Sequence, residues 1–128
     1  MSVPNKERIQ LWIDALRSGE YTQIQGALRQ PDGYCCLGVA CDIYHTVTGL
    51  GYWGVGAGPH RYAFTQFSAD LPPQVVQWFG LEASDPKLHL AEPEPPYDRE
   101  QYITNLNDIL GKSFKEIADL IEAKYLLQ

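Results

Sequence analysis

The sequence is short of positive charge: ten Lys and Arg stand against sixteen Asp and Glu, a formal net charge of −6. A nonspecific grip on nucleic acid needs a cationic surface to displace phosphate counterions. Direct nucleic-acid binding is therefore not expected, although a local pocket for a small anion is compatible with the charge. No apolar run approaches the roughly 18 residues of a membrane span, and residues 1–7 lack the apolar core of a secretory signal. Cysteine is also scarce. Cys35, Cys36 and Cys41 are the only three, and two adjacent residues plus one make a poor disulfide framework, so a reducing compartment fits better. The expectation is a soluble, cytoplasmic chain with no membrane association.

Cofactor motifs are missing as well. Residues 49–61 hold five of the eleven glycines, yet neither the spaced glycines of a dinucleotide fingerprint nor the Gly-Lys-Ser/Thr of a phosphate loop. Cys41 and His45, at i and i+4, offer two metal ligands where a structural zinc site takes four. No cofactor and no metal are expected. What is present is the material of one folded domain over residues 1–128, with 45% apolar and 12% aromatic residues, a composition that buries a core on its own.

Periodicity places the elements. Ile9, Trp12, Ile13 and Leu16 recur at i, i+3, i+4 and i+7, which predicts an amphipathic helix over 5–18. Alternation predicts a strand over 22–29, and Gln30-Pro31-Asp32-Gly33 spells a turn into a short partner around Tyr34-Cys35. A central helix begins near Cys36, turns Leu37, Ala40, Cys41, Tyr44 and Thr48 inward and ends at Gly49. Gly38 inside it costs about 1 kcal/mol relative to alanine, which suits a position approached closely by another backbone or a ligand. Residues 49–61 read as a glycine-rich loop carrying aromatics, 62–67 as a third strand and 71–80 as a short helix. Residues 82–100 carry six acids, two bases and four prolines, the pattern of an acidic surface loop or flap. Asp98 and Gln101 have capping-box spacing before a short helix or extended piece. Ser113 and Glu116 form a clearer capping box before the stripe Phe114, Ile117, Ala118, Leu120, Ile121 and Tyr125. The fold class expected is α+β, with a small antiparallel sheet of about three strands packed by the N-terminal, central and C-terminal helices.

The stretch Tyr34-Cys35-Cys36-Leu37-Gly38-Val39-Ala40-Cys41-Asp42 joins the turn to the central helix. With Leu16-Arg17-Ser18-Gly19-Glu20-Tyr21 before it, it resembles a family of small uncharacterised proteins encoded by bacteriophages and some bacteria. Leu71-Pro72, Val75, Trp78 and Gly80-Leu81 match the family's next segment. Leu106-Asn107-Asp108 and Ser113-Phe114 through Glu122 match its closing one. The resemblance covers most of the chain outside 49–61 and 82–100. It implies no established activity; it implies a virus-encoded accessory protein acting in a bacterial cytoplasm.

Two chemistries suit the side chains. Tyr52, Trp53, His60 and Arg61 lie in the glycine-rich loop, flanked by Tyr34 and Tyr62. Aromatic faces beside an arginine can stack a base and pair a phosphate, so these six residues are the candidate ligand site. The alternative is a cysteine-dependent hydrolase or transferase. Cys36 (or Cys35) stands at a helix N-terminus, where the dipole lowers a thiol pKa, with His60 as base and Asn107 or Asp108 as orienting group. The expected function is an accessory protein that binds a small, nucleotide-like ligand or a host bacterial protein in a counter-defence role. The acidic segment 82–100 is the stretch suited to a basic host partner.

Overall fold

The computed structural model describes residues 3–56 and 62–127. Helix α1 (Lys6–Arg17) is capped by Asn5, whose side chain accepts from the Arg8 amide at 3.0 Å. Its buried stripe of Ile9, Trp12, Ile13 and Leu16 lies against the C-terminal helix and the central helix. Within that contact the Trp12 indole N–H donates to the Cys36 carbonyl at 2.9 Å, so the largest core side chain also has its one polar atom satisfied.

The chain then forms β1 (Arg29–Gln30), β2 (Gly33–Tyr34) and the central helix α2 (Cys36–Thr48). Cys35 caps α2, its sulfur accepting from the Gly38 amide at 3.4 Å, and Gly49 ends the helix in the left-handed conformation (φ 73°). Residues 36–41 and Tyr44 are buried, so the first half of α2 has no solvent face at all. Gly38 makes this possible. A Cβ there would lie 1.8 Å from the Leu28 carbonyl oxygen, so the helix rests directly on the backbone entering β1.

Strands β3 (Trp53–Val55) and β4 (Tyr62–Phe64) complete a four-stranded antiparallel sheet in the order β2-β1-β4-β3. Strands of two or three residues are marginal alone. Here Phe64 is fully buried, with ring contacts to Tyr44 and His45 of α2, and fastens the sheet to the helix. Burying a phenylalanine is worth roughly 1.5–3 kcal/mol, enough to hold short strands in place. Helix α3 (Pro73–Phe79) follows, then the hairpin β5 (Lys87–His89) and β6 (Glu100–Tyr102), α4 (Ile103–Asp108) and α5 (Phe114–Tyr125). Both halves of the Ser113/Glu116 capping box are formed, at 3.1 Å each. The architecture is α+β, with a small antiparallel sheet and helices packed around one core.

Four boundaries depart from the sequence expectation. The strand expected over 22–29 is confined to Arg29–Gln30. Gln23 makes only an isolated parallel bridge to Tyr34, and Gly26 breaks the extension at φ 90°. The Gln23 side chain is drawn away instead: its amide donates to Asn107 and to the Lys112 carbonyl, both at 2.8 Å, and its oxygen accepts from the Phe114 amide. The 49–61 loop contains a strand, β3, while residues 57–61 lie outside the described residues. The strand expected over 62–67 ends at Phe64, because Thr65 and Gln66 take positive φ in a turn. The 82–100 segment is not a free flap. Leu88 and Leu90 are buried, and pairing with β6 ties its base to the domain.

Candidate functional site

Residues directly opposite in an antiparallel sheet share a face, as do residues two apart along a strand. Arg29 is opposite both Tyr34 and Tyr62, Tyr62 is opposite Val55, and Trp53 is opposite Phe64. One face of the sheet therefore carries Tyr34, Arg29, Tyr62, Val55, Trp53 and Phe64. It grades from fully buried Phe64 to Val55, which is 93% exposed. Arg29 sits in the middle of that gradient, half-buried.

Its guanidinium carbon lies 4.9 Å from the Tyr34 ring centroid, 5.0 Å from that of Tyr62 and 5.3 Å from that of Trp53. Each such contact is worth about 0.5–2 kcal/mol depending on desolvation. Three together hold the cation among the rings. Among the described residues no carboxylate pairs with Arg29, and none of its N–H donors meets a protein acceptor. A guanidinium has five such donors in a fixed fork that matches carboxylate and phosphate oxygens. The rings surround the cation, and its donors have no acceptor among the described residues.

Asp42 of α2 lies behind the rings. It accepts from the Trp53 indole N–H at 3.2 Å and from the Tyr21 hydroxyl at 2.5 Å. Tyr21 packs edge-on against Tyr34 at 5.0 Å, and Tyr34 packs against Trp53 at 5.8 Å. Burial pushes the Tyr21 phenol well up, and its hydrogen bond to Asp42 adds to that. Burial also raises Tyr34, Asp42 adds to the shift, and Arg29 opposes it. The Tyr21 and Tyr34 phenols stay neutral near pH 7.

The structure brings together three of the six candidate ligand residues, Tyr34, Trp53 and Tyr62. Tyr52 is set apart. Strand alternation turns it to the other side of the sheet, where its ring borders Gly54 and is 52% exposed. His60 and Arg61 lie outside the described residues. Arg29, the centre of the cluster, is absent from the sequence-based set, as is Asp42. Arg29 belonged to an expected strand, but only its register against Tyr34 and Tyr62 shows what it faces.

The cysteines occupy a different environment. Cys36 and Cys41 are fully buried and Cys35 nearly so. Burial pushes the Cys36 and Cys41 thiols well above the ordinary range, and Cys35 up to about 12. The helix N-terminus does not offset that desolvation. Asn107, the orienting group of the alternative reading, is also fully buried. Its amide donates to the Ile24 carbonyl and Asp108 while its oxygen accepts from Gln23, so it fastens α4 to the 22–24 segment.

On another surface a cavity of about 370 Å³ is lined by Asp70, Asp85, Asp108, Thr104 and Cys35. Asp85 accepts from the Thr104 hydroxyl at 2.6 Å and amide at 3.1 Å, yet burial and the neighbouring Asp70 and Asp108 raise its pKa. No group of three or more His, Cys, Asp or Glu among the described residues is arranged to hold a metal ion. No helix of the described residues is long and apolar enough to cross a membrane.

The fold and the caged arginine define a small α+β protein whose distinctive surface is a ring-clamped cation. A family model described as Domain of unknown function (DUF8296) matches residues 5–125, and the chain belongs to that family. No curated protein and no solved structure matches it.

Proposed function

We propose that this is a bacteriophage accessory protein that captures a small, planar, anionic ligand of the nucleotide type at Arg29. It would act in the bacterial cytoplasm to blunt a host defence. The observation that carries the reading is a half-buried guanidinium clamped by Tyr34, Trp53 and Tyr62, with no acceptor for its fork among the described residues. An anion on that fork completes the hydrogen bonding of a cation already held by its surroundings, so little side-chain entropy is lost on binding. A planar group then has the exposed edge of the same face, around Tyr62 and Val55, to lie on.

Native mass spectrometry of the protein purified from bacterial cells, repeated after denaturation, tests this. The expected result is a mass excess that disappears on denaturation and is absent from Arg29→Gln. A clean apo mass, together with no binding to a panel of nucleoside mono-, di- and triphosphates, would overturn it.

A further inference from the structure

We infer that Asp42 is the positioning residue of this site, holding Trp53 and Tyr21 so that the Arg29 fork stays open to an anion; this rests on the reading of Arg29 as the ligand-binding group. Asp42 stands on the buried half of α2, where residues 36–41 leave the helix no freedom to shift. Each carboxylate oxygen accepts one hydrogen bond, Oδ1 from Trp53 at 3.2 Å and Oδ2 from Tyr21 at 2.5 Å. The first partner's ring covers Arg29 directly at 5.3 Å. The second steadies Tyr34 edge-on at 5.0 Å, and Tyr34 covers Arg29 at 4.9 Å. Two of the three rings on the cation are therefore oriented by one carboxylate. The third, Tyr62, is placed by its backbone pairing with Arg29.

The separation matters as much as the contacts. A carboxylate in direct contact with Arg29 would take the fork bidentately and fill the site with the protein's own charge. Asp42 instead spends both oxygens on Trp53 and Tyr21 and makes no ion pair with Arg29. The guanidinium donors of Arg29 are thereby left without an acceptor among the described residues.

The test uses the full chain with inorganic phosphate and adenosine 5′-monophosphate as probes, titrated calorimetrically. Asp42→Ala should weaken binding about tenfold, the worth of a charged hydrogen bond. Asp42→Asn should stay within about threefold of wild type, because an amide in the same place still pairs with both partners. Tyr21→Phe, which removes one hydroxyl and threatens the fold least, should weaken binding by about threefold to fivefold. The indole N–H resonance of Trp53 should shift in Asp42→Ala and return toward its native position in Asp42→Asn. Unchanged affinity in Asp42→Ala overturns the positioning role while leaving Arg29 as the binding group. Equal losses in Asp42→Asn and Asp42→Ala overturn it too, since charge rather than placement would then be at work. Failure of the wild-type protein to bind either probe overturns the reading of Arg29 and this inference with it.

Discussion

Replacing Gly38 with alanine isolates the contact that sets the central helix against the sheet. The added Cβ would stand 1.8 Å from the Leu28 carbonyl oxygen and 2.8 Å from its carbon. Non-bonded heavy atoms settle about 3.5 Å apart or more, so the two backbones must separate by well over an ångström. Neither side yields easily: Leu28 is fully buried, its amide is bonded to the Ser68 carbonyl at 2.9 Å, and its carbonyl accepts from Cys35 at 3.0 Å. Overpacking of this kind costs about 1–3 kcal/mol, and weakening the Cys35 bond adds about 1 kcal/mol. Better helix propensity returns about 1 kcal/mol. The net expectation is a loss of about 2 kcal/mol, or roughly 8 °C in Tm for a domain of this size. Thermal unfolding followed by circular dichroism reads it directly. Because Leu28 adjoins Arg29, anion affinity should fall as well. An unchanged or higher Tm would refute the reasoning, since α2 would not then be pressed on the Leu28 backbone.

Gln23→Ala should cost about 2–3 kcal/mol in chemical denaturation, because it strands the Phe114 amide and the Asn107 oxygen together. A loss below about 0.5 kcal/mol, the ordinary range for a surface substitution, would contradict its bridging role. Asp85 has a folded-state pKa above its usual 3.8, so the folded state favours its protonated form. The stability this contributes is present below that value and is lost as pH rises through the folded pKa. Asp85→Asn, which can keep both Thr104 contacts, should therefore gain in Tm over wild type at pH 7 relative to pH 3; a constant difference would refute the burial argument. All three thiols should resist a disulfide reagent at pH 8 in the native state and react fully on unfolding. Rapid native labelling of Cys36 would revive a nucleophilic role.

Much of the helical frame is legible locally. The α1 stripe, the Ser113/Glu116 box and the left-handed Gly49 are each decided by neighbours within a turn. The close approach at Gly38 follows from the penalty a glycine carries inside a helix. The sheet is less legible because its strands are two or three residues long, shorter than the period-two pattern needs to declare itself. Their existence depends on burying Phe64 and on what Gln23 does with its side chain, both long-range effects. The same distinction divides the site. Tyr34, Trp53 and Tyr62 are visible as aromatics around a glycine-rich stretch. Tyr52 and Trp53 are indistinguishable as neighbours in a loop, and only the strand between them and Val55 sends them to opposite faces. Arg29 and Asp42 are ordinary charged residues in sequence; cross-strand register and the packing of α2 give them their roles.

The most direct measurement is a titration of the wild-type protein and Arg29→Gln with adenosine 5′-monophosphate, followed by Trp53 fluorescence and calorimetry. The account predicts saturable one-site binding to the wild type and at least about tenfold weaker binding to the variant. Arg29→Gln also gives up three cation–π contacts of about 0.5–2 kcal/mol each, so its melting temperature should fall by several degrees, and both titrations are made well below it. Equal binding by both proteins, or none by the wild type, would contradict the claim that Arg29 and its three rings form a ligand site.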